Sequence, residues 1–144
     1  MNNKAQYSEQ PNASSTKEFL SRVIANQLSR HLDFDNYDVK CEGCLEKENP
    51  ASEKSDVVVY RKDNFLPVAA IEICKTDDLT DSFVLSKKLR AQYALEEFFI
   101  YDYEADLWCR EAKNFSQSGF SIFFNLDLKG MVSLFLTDKD SLLK

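Results

Sequence analysis

Apolar residues recur at helical spacing near the start of the chain: Phe19, Leu20, Val23, Ile24, Leu28 and Leu32. Ser15-Thr16-Lys17-Glu18 ahead of them has the form of a capping box, a hydroxyl with a glutamate three residues on. Together they predict a helix over about residues 16–32. The period changes after a turn at Asp33–Tyr37. Val39–Leu45 reads as a weak strand, and Glu46–Ser55 as a charged loop holding Pro50. Asp56-Val-Val-Val-Tyr60 is a strong β run, and Lys62-Asp63-Asn64 has turn chemistry. Val68-Ala-Ala-Ile-Glu-Ile-Cys74 is apolar enough for a strand covered on both faces. Asp81 or Ser82 can cap a second helix running to about Leu95. Phe98–Tyr101 and Leu107–Glu111 read as strands around a turn at Asp102–Asp106, and Phe120–Phe124 and Met131–Leu136 as two final strands. The order α-β-β-β-α-β-β, then β-β, predicts an α/β fold with a mixed central β-sheet flanked by helices. A single domain is expected over 15–144, behind a disordered polar tail over 1–14.

Two acids stand out against this pattern. Glu72 interrupts an apolar run, where an unpaired buried charge is costly. If residues 56–61 and 67–74 form an antiparallel hairpin, Asp56 falls directly opposite Glu72, with Cβ atoms roughly 4.5–5.5 Å apart. Alternation places Val58, Tyr60, Val68 and Ala70 on the same face. Facing carboxylates repel unless a cation lies between them or one keeps its proton. Hard oxygen ligands on a partly apolar sheet suit Mg²⁺ or Mn²⁺. The other reading is an acid at a strand end, in water, that never meets its partner. On the second helix Val84, Leu85, Leu89, Tyr93 and Leu95 cover one half of the surface, and Lys88 and Gln92 fall inside that half. The acid pair would give these two polar side chains partners; otherwise Lys88 snorkels to solvent. Lys75, three residues after Glu72, falls on the opposite face of a regular strand.

Composition narrows the classes. The 144 residues carry 18 Lys+Arg against 24 Asp+Glu, a net charge of −6, which excludes a basic nucleic-acid coat but not a nuclease with a local basic patch. Eleven Phe and six Tyr are enough large side chains for a core. No apolar run approaches the length of about eighteen residues needed to span a membrane. The polar start lacks a secretory signal, so a cytoplasmic, thiol-reduced setting is expected. Cys41, Cys44, Cys74 and Cys109 do not form a disulfide framework. Cys41-Glu-Gly-Cys44 has zinc-site spacing but no second close pair. His31 is the only histidine, at a helix C-terminus, and no Gly-rich phosphate loop occurs. Trp108 and the Phe-rich tail are most simply core. Phe120, Phe123, Phe124 and Phe135 could also form a homodimer face.

The succession of an Asp-bearing strand, a Glu-bearing strand and a helix with lysine resembles the PD-(D/E)XK nuclease superfamily. Within it the chain looks most like the Uma2-type (DUF820) restriction endonucleases. The carrying segments are Ser55-Asp56-Val-Val-Val, Val68-Ala-Ala-Ile-Glu72-Ile, Lys87-Lys88-Leu-Arg-Ala-Gln-Tyr93, Glu97-Phe-Phe-Ile-Tyr-Asp102 and Leu107-Trp-Cys-Arg110. The resemblance covers about residues 15–111. It implies a restriction-endonuclease-like core and Mg²⁺- or Mn²⁺-dependent hydrolysis of DNA. It also implies Asp56 and Glu72 as metal ligands helped by the Ile73 carbonyl, Lys88 as a catalytic lysine moved from strand to helix, and Gln92 beside it. Glu18 is similar in place to an acid on the family's first helix, though its capping-box role explains it equally well. The chain departs from the pattern in three places. Ser55 stands where proline is usual, Glu-Ile-Cys-Lys is one residue longer than Glu-x-Lys, and the Tyr93–Phe98 connection is short. The function expected is a metal-dependent DNA endonuclease with weak, salt-dependent DNA affinity. The alternative is a catalytically inactive interaction or dimerisation module on the same fold.

Overall fold

Three consecutive antiparallel strands open the sheet in the computed structural model, which describes residues 13–143, with side chains over 16–136. They are β1 (Tyr37–Cys44), β2 (Lys54–Arg61) and β3 (Pro67–Cys74). A 3-10 turn at Thr76–Asp78 and helix α2 (Leu79–Tyr93) carry the chain across to β4 (Glu97–Asp102), which pairs parallel to β3. β5 (Leu107–Glu111) and the short β6 (Phe115–Ser116) complete a six-stranded mixed sheet in sequence order. Every residue of β4 is buried, as is every residue of β3 except half-buried Glu72, because both faces are covered.

Helices α1 (Ala13–His31) and α3 (Leu128–Leu143) cover one face. There Leu20, Ile24 and Leu28 pack with Val57, Val59, Ile71, Phe99 and Trp108, joined by Leu128 and Val132. α2 covers the other face through Leu89, against Val58, Tyr60, Ala70, Phe98 and Ile100. Trp108 is core, stacked on Tyr101 at 4.5 Å between ring centroids. α2 ends where Ala94 turns left-handed (φ 53°) and the Leu95 N–H closes on the Arg90 carbonyl at 3.1 Å.

The structure corrects several expectations. Ser15–Glu18 lie inside α1, which is already helical at Ala13, so they form no capping box there. Residues 1–12 of the expected tail lie outside the described residues. Phe120–Phe124 is not one strand: β7 (Phe120–Ser121) and β8 (Leu126–Asp127) form a small separate hairpin. Met131–Leu136 belongs to α3. Its buried residues, Leu128 and Val132, are one helical turn apart, and Asp127 Oδ1 accepts the Gly130 N–H at 3.1 Å at its start. A Cβ on Gly130 would collide with the Asp127 carboxylate. Leu134, which an alternating strand would have buried with Val132, is 67 % exposed. Leu128→Ala is therefore expected to cost about 2–4 kcal/mol and Leu134→Ala less than about 0.5 kcal/mol, measured by urea unfolding. Equal costs would contradict the helical assignment.

Candidate active site

The β2–β3 register is the one expected: Val57 lies opposite Ile71, Val58 opposite Ala70 and Val59 opposite Ala69. It slips only beyond Val59, where Tyr60 meets Pro67 next to the turn at left-handed Phe65 (φ 60°). Val68 consequently packs on the α1 face, away from Val58, Tyr60 and Ala70, which remain together on the α2 face. The slip is remote from the acids. Asp56 near the start of β2 and Glu72 near the end of β3 come together at one end of the sheet.

Three of their four oxygens are engaged. Asp56 Oδ2 accepts the Ile73 backbone N–H at 2.7 Å. Neighbouring strand residues exchange N–H and C=O on the same side, so the Ile73 carbonyl also faces β2. The Ser55 hydroxyl lies 3.2 Å from Glu72 Oε1 and 3.0 Å from the Ile71 carbonyl. Ser55, 3 % exposed at the expected proline position, is thus a buried hydrogen-bonding group of the site. Between the acids stands a lysine from α1: Lys17 Nζ is 3.4 Å from Asp56 Oδ2 and 3.8 Å from Glu72 Oε2.

The electrostatics follow from burial. Desolvation raises the Glu72 carboxyl to about 7, and the Asp56 charge adds to it, against the opposing pull of Lys17 and of hydrogen bonds from Ser55 and the Asp56 backbone. Asp56 is raised by desolvation too, despite Ile73 and Lys17, with Glu42 on β1 adding its negative charge. Burial works against the Lys17 ammonium, but Asp56 and Glu72 outweigh it and raise Lys17.

Glu72 and Lys17 open into a cleft of about 470 Å³ whose lining also includes Lys75, Asp78, Asp81 and Tyr103. Lys75 shares this cleft with Glu72, contrary to the opposite-face expectation. It lies one residue past the end of β3, where the chain enters the 3-10 turn and strand alternation no longer applies. Buried Asp102 fixes the neighbouring wall. Its Oδ2 accepts the Thr76 hydroxyl at 2.7 Å, and its Oδ1 accepts the N–H groups of Glu104 and Ala105.

Lys88 and Gln92 are not brought to the pair. Both are exposed, and the buried line of α2 runs through Ser82, Ser86 and Leu89 instead. Two small serines let the helix approach the sheet, and an apolar count misses them; Val84, counted as core, is 66 % exposed. α2 also starts at the site end and runs away from it, so Lys88, nine residues in, is about 13 Å along the axis. Lys88 Nζ faces Glu53 at 3.8 Å, and Lys87 faces Glu111 at 3.6 Å. Gln92 lines a separate groove with Phe65, Leu66 and Tyr93. Glu18 is exposed and joins no described interaction of the pair. Cys41 Sγ points to the Ser21 carbonyl at 3.5 Å, and no group of three or more His, Cys, Asp or Glu poised for a metal occurs among the described residues. The zinc reading of Cys41 and Cys44 gains nothing from this geometry.

Lys17 is the residue that sequence reasoning missed as part of the site. A signal existed: Lys17 precedes Leu20, Ile24 and Leu28 on one helical stripe, and so continues the buried face of α1 toward the strand ends.

Sheet order and helix placement define a mixed α/β protein, a six-stranded sheet flanked by helices, whose fold matches that of a nuclease-like neighbour. A solved structure of that kind is similar to this chain: a protein from Anabaena variabilis ATCC 29413 described as "a putative nuclease belonging to DUF820". The two superpose with a TM-score of 0.53 over 86 % of this chain and 82 % of that one, at 12 % sequence identity, so the likeness is one of fold. No family model and no curated protein matches the sequence. No helix among the described residues is long and apolar enough to cross a membrane.

Proposed function

We propose that the chain is a metal-dependent DNA endonuclease of the PD-(D/E)XK type, with Asp56 and Glu72 at its active site. The observation that carries this reading is the convergence of both carboxylates on a single cation, Lys17 Nζ, at the strand ends. A position that one cation can share between two carboxylates fits a hard divalent ion such as Mg²⁺ or Mn²⁺. Asp56, Glu72 and the Ile73 carbonyl would hold it. With only two acids in the set, water and phosphate oxygens would complete its shell, as Mg²⁺ commonly retains several waters. Such an ion supplies a lowered water pKa and charge stabilisation at phosphorus.

The chain's own groups do the rest. Ser55 and the Ile73 N–H orient the carboxylates. Lys75, with no ion-pair partner among the described residues, is the cleft cation available to a phosphate oxygen and takes the place that Lys88 was expected to fill. Asp78 and Asp81 on the same wall repel a DNA backbone, which keeps affinity low and salt-sensitive.

The test is incubation of purified protein with supercoiled plasmid at low salt. Nicked and linear forms are expected with Mn²⁺ or Mg²⁺ and not with a chelator. Lys75→Ala should slow cleavage strongly, whereas Lys88→Ala should leave it near the wild-type rate. Absence of both cleavage and divalent-ion binding across a salt series would sink the enzyme reading. The second reading, an inactive module on this fold, is favoured by one observation: Lys17 already neutralises part of the pair's charge without a metal.

A further inference from the structure

We infer that Lys17 and a divalent cation compete for the same two carboxylates, so that Lys17 is the resident counter-ion of the cleft and must withdraw before a metal enters. This rests on the metal-binding reading above. Lys17 Nζ approaches Asp56 Oδ2 and Glu72 Oε2 from the cleft, at 3.4 and 3.8 Å. On Glu72 the other oxygen is taken, since Oε1 faces Ser55, so Oε2, which Lys17 faces, is the oxygen left to an ion. On Asp56 Lys17 shares Oδ2 with the Ile73 N–H, so an ion bridging the two acids meets Lys17 at Glu72 Oε2 and beside Asp56.

The charges oppose joint occupancy. Two carboxylates and one ammonium leave a single negative charge, enough to attract a divalent ion. Once the ion is in place, Lys17 would stand against a like charge in a half-buried cleft. Withdrawal is feasible because the Lys17 side chain is still 38 % exposed on a flexible four-carbon stem, while Asp56 and Glu72 are only 13 % and 16 % exposed and stay fixed. Asp78 and Asp81, which line the same cleft, provide an acidic surface toward which the freed ammonium can turn. In this scheme the lysine satisfies the acids in the metal-free protein and weakens metal affinity in return.

Calorimetric Mn²⁺ titration of wild type, Lys17→Met and Lys17→Arg tests the competition. Lys17→Met is expected to bind Mn²⁺ at least about tenfold more tightly than wild type, and Lys17→Arg, which keeps the charge, to bind it no more tightly than wild type. A second measurement uses the wild type alone, in case Lys17→Met does not fold. Saturating Mn²⁺ should speed acylation of the Lys17 amine several-fold, read by peptide mass spectrometry, with exposed Lys113 unchanged. Equal Mn²⁺ affinities in wild type and Lys17→Met, or Lys17 labelling that metal does not alter, overturn the competition while leaving the metal site standing. No Mn²⁺ binding to any of the three proteins overturns both.

Discussion

Glu72→Gln is expected to remove metal-dependent cleavage and, at the same time, to make the protein more stable at pH 8. On the proposed function, the loss of activity follows from removing one of two anionic ligands. Several kcal/mol of charge stabilisation at phosphorus corresponds to a rate at least about a thousandfold lower. The gain in stability follows from the raised carboxyl. Burial and Asp56 lift Glu72 from 4.5 to about 7, so the folded protein holds this proton more tightly than the unfolded chain does. The cost is absent below pH 4.5, grows as pH rises through the interval to about 7, and is complete above it. At about 1.4 kcal/mol per pH unit, glutamine relieves about 1–3 kcal/mol at pH 8 and almost nothing at pH 4.5. Asp56→Asn should lose cleavage as well. Denaturant titrations at both pH values, beside the plasmid assay, give the answer. A Glu72→Gln protein less stable than wild type at pH 8 would show that Glu72 holds the strand ends together rather than straining them.

Glu97→Ala is expected to cost about 3–5 kcal/mol, because it breaks a largely buried ion pair by removing one partner. Glu97 is 0 % exposed at the start of β4, and its Oε2 accepts Arg110 Nε at 2.6 Å. The same oxygen accepts the N–H groups of Ile122 at 2.8 Å and Phe123 at 3.2 Å, while Oε1 takes the Ser121 hydroxyl. One carboxylate thus pins the β7–β8 segment to the sheet. Glu97→Gln keeps an acceptor but not the charge, and should lose less. Urea unfolding measures the cost, and faster amide exchange at Ile122 and Phe123 localises it. A change below about 1 kcal/mol in Glu97→Ala would mean that the tail is held by its apolar contacts instead.

The readable part of the fold was the part governed by local periodicity. Away from its turn the β2–β3 hairpin could be placed in register, because turn residues separate two strong β runs, and that register opposed Asp56 to Glu72; the slip beside the turn, which moved Val68 to the other face, had no such signal. The tail misled because Met131–Leu136 is apolar almost throughout, and a short apolar run does not reveal whether its period is two or 3.6. The face of α2 misled because Ser82 and Ser86 share its buried line with Leu89, while apolar Val84 faces solvent. Glu97 carries no local signal at all: its partners lie 13 to 26 residues away.

The sequence by itself determined an α/β chain with an acid interrupting a buried strand, since a charge within an apolar run is visible without coordinates. Tertiary structure alone decided which cation answers that acid. Lys88 lay on the element nearest in sequence and seemed to face inward. Yet α2 carries it away from the strand ends, and α1 delivers Lys17, which lies 39 and 55 residues before the two acids, to them. Charge partners are chosen by where helix ends fall against the sheet, and that depends on the packing of whole elements rather than on any local pattern.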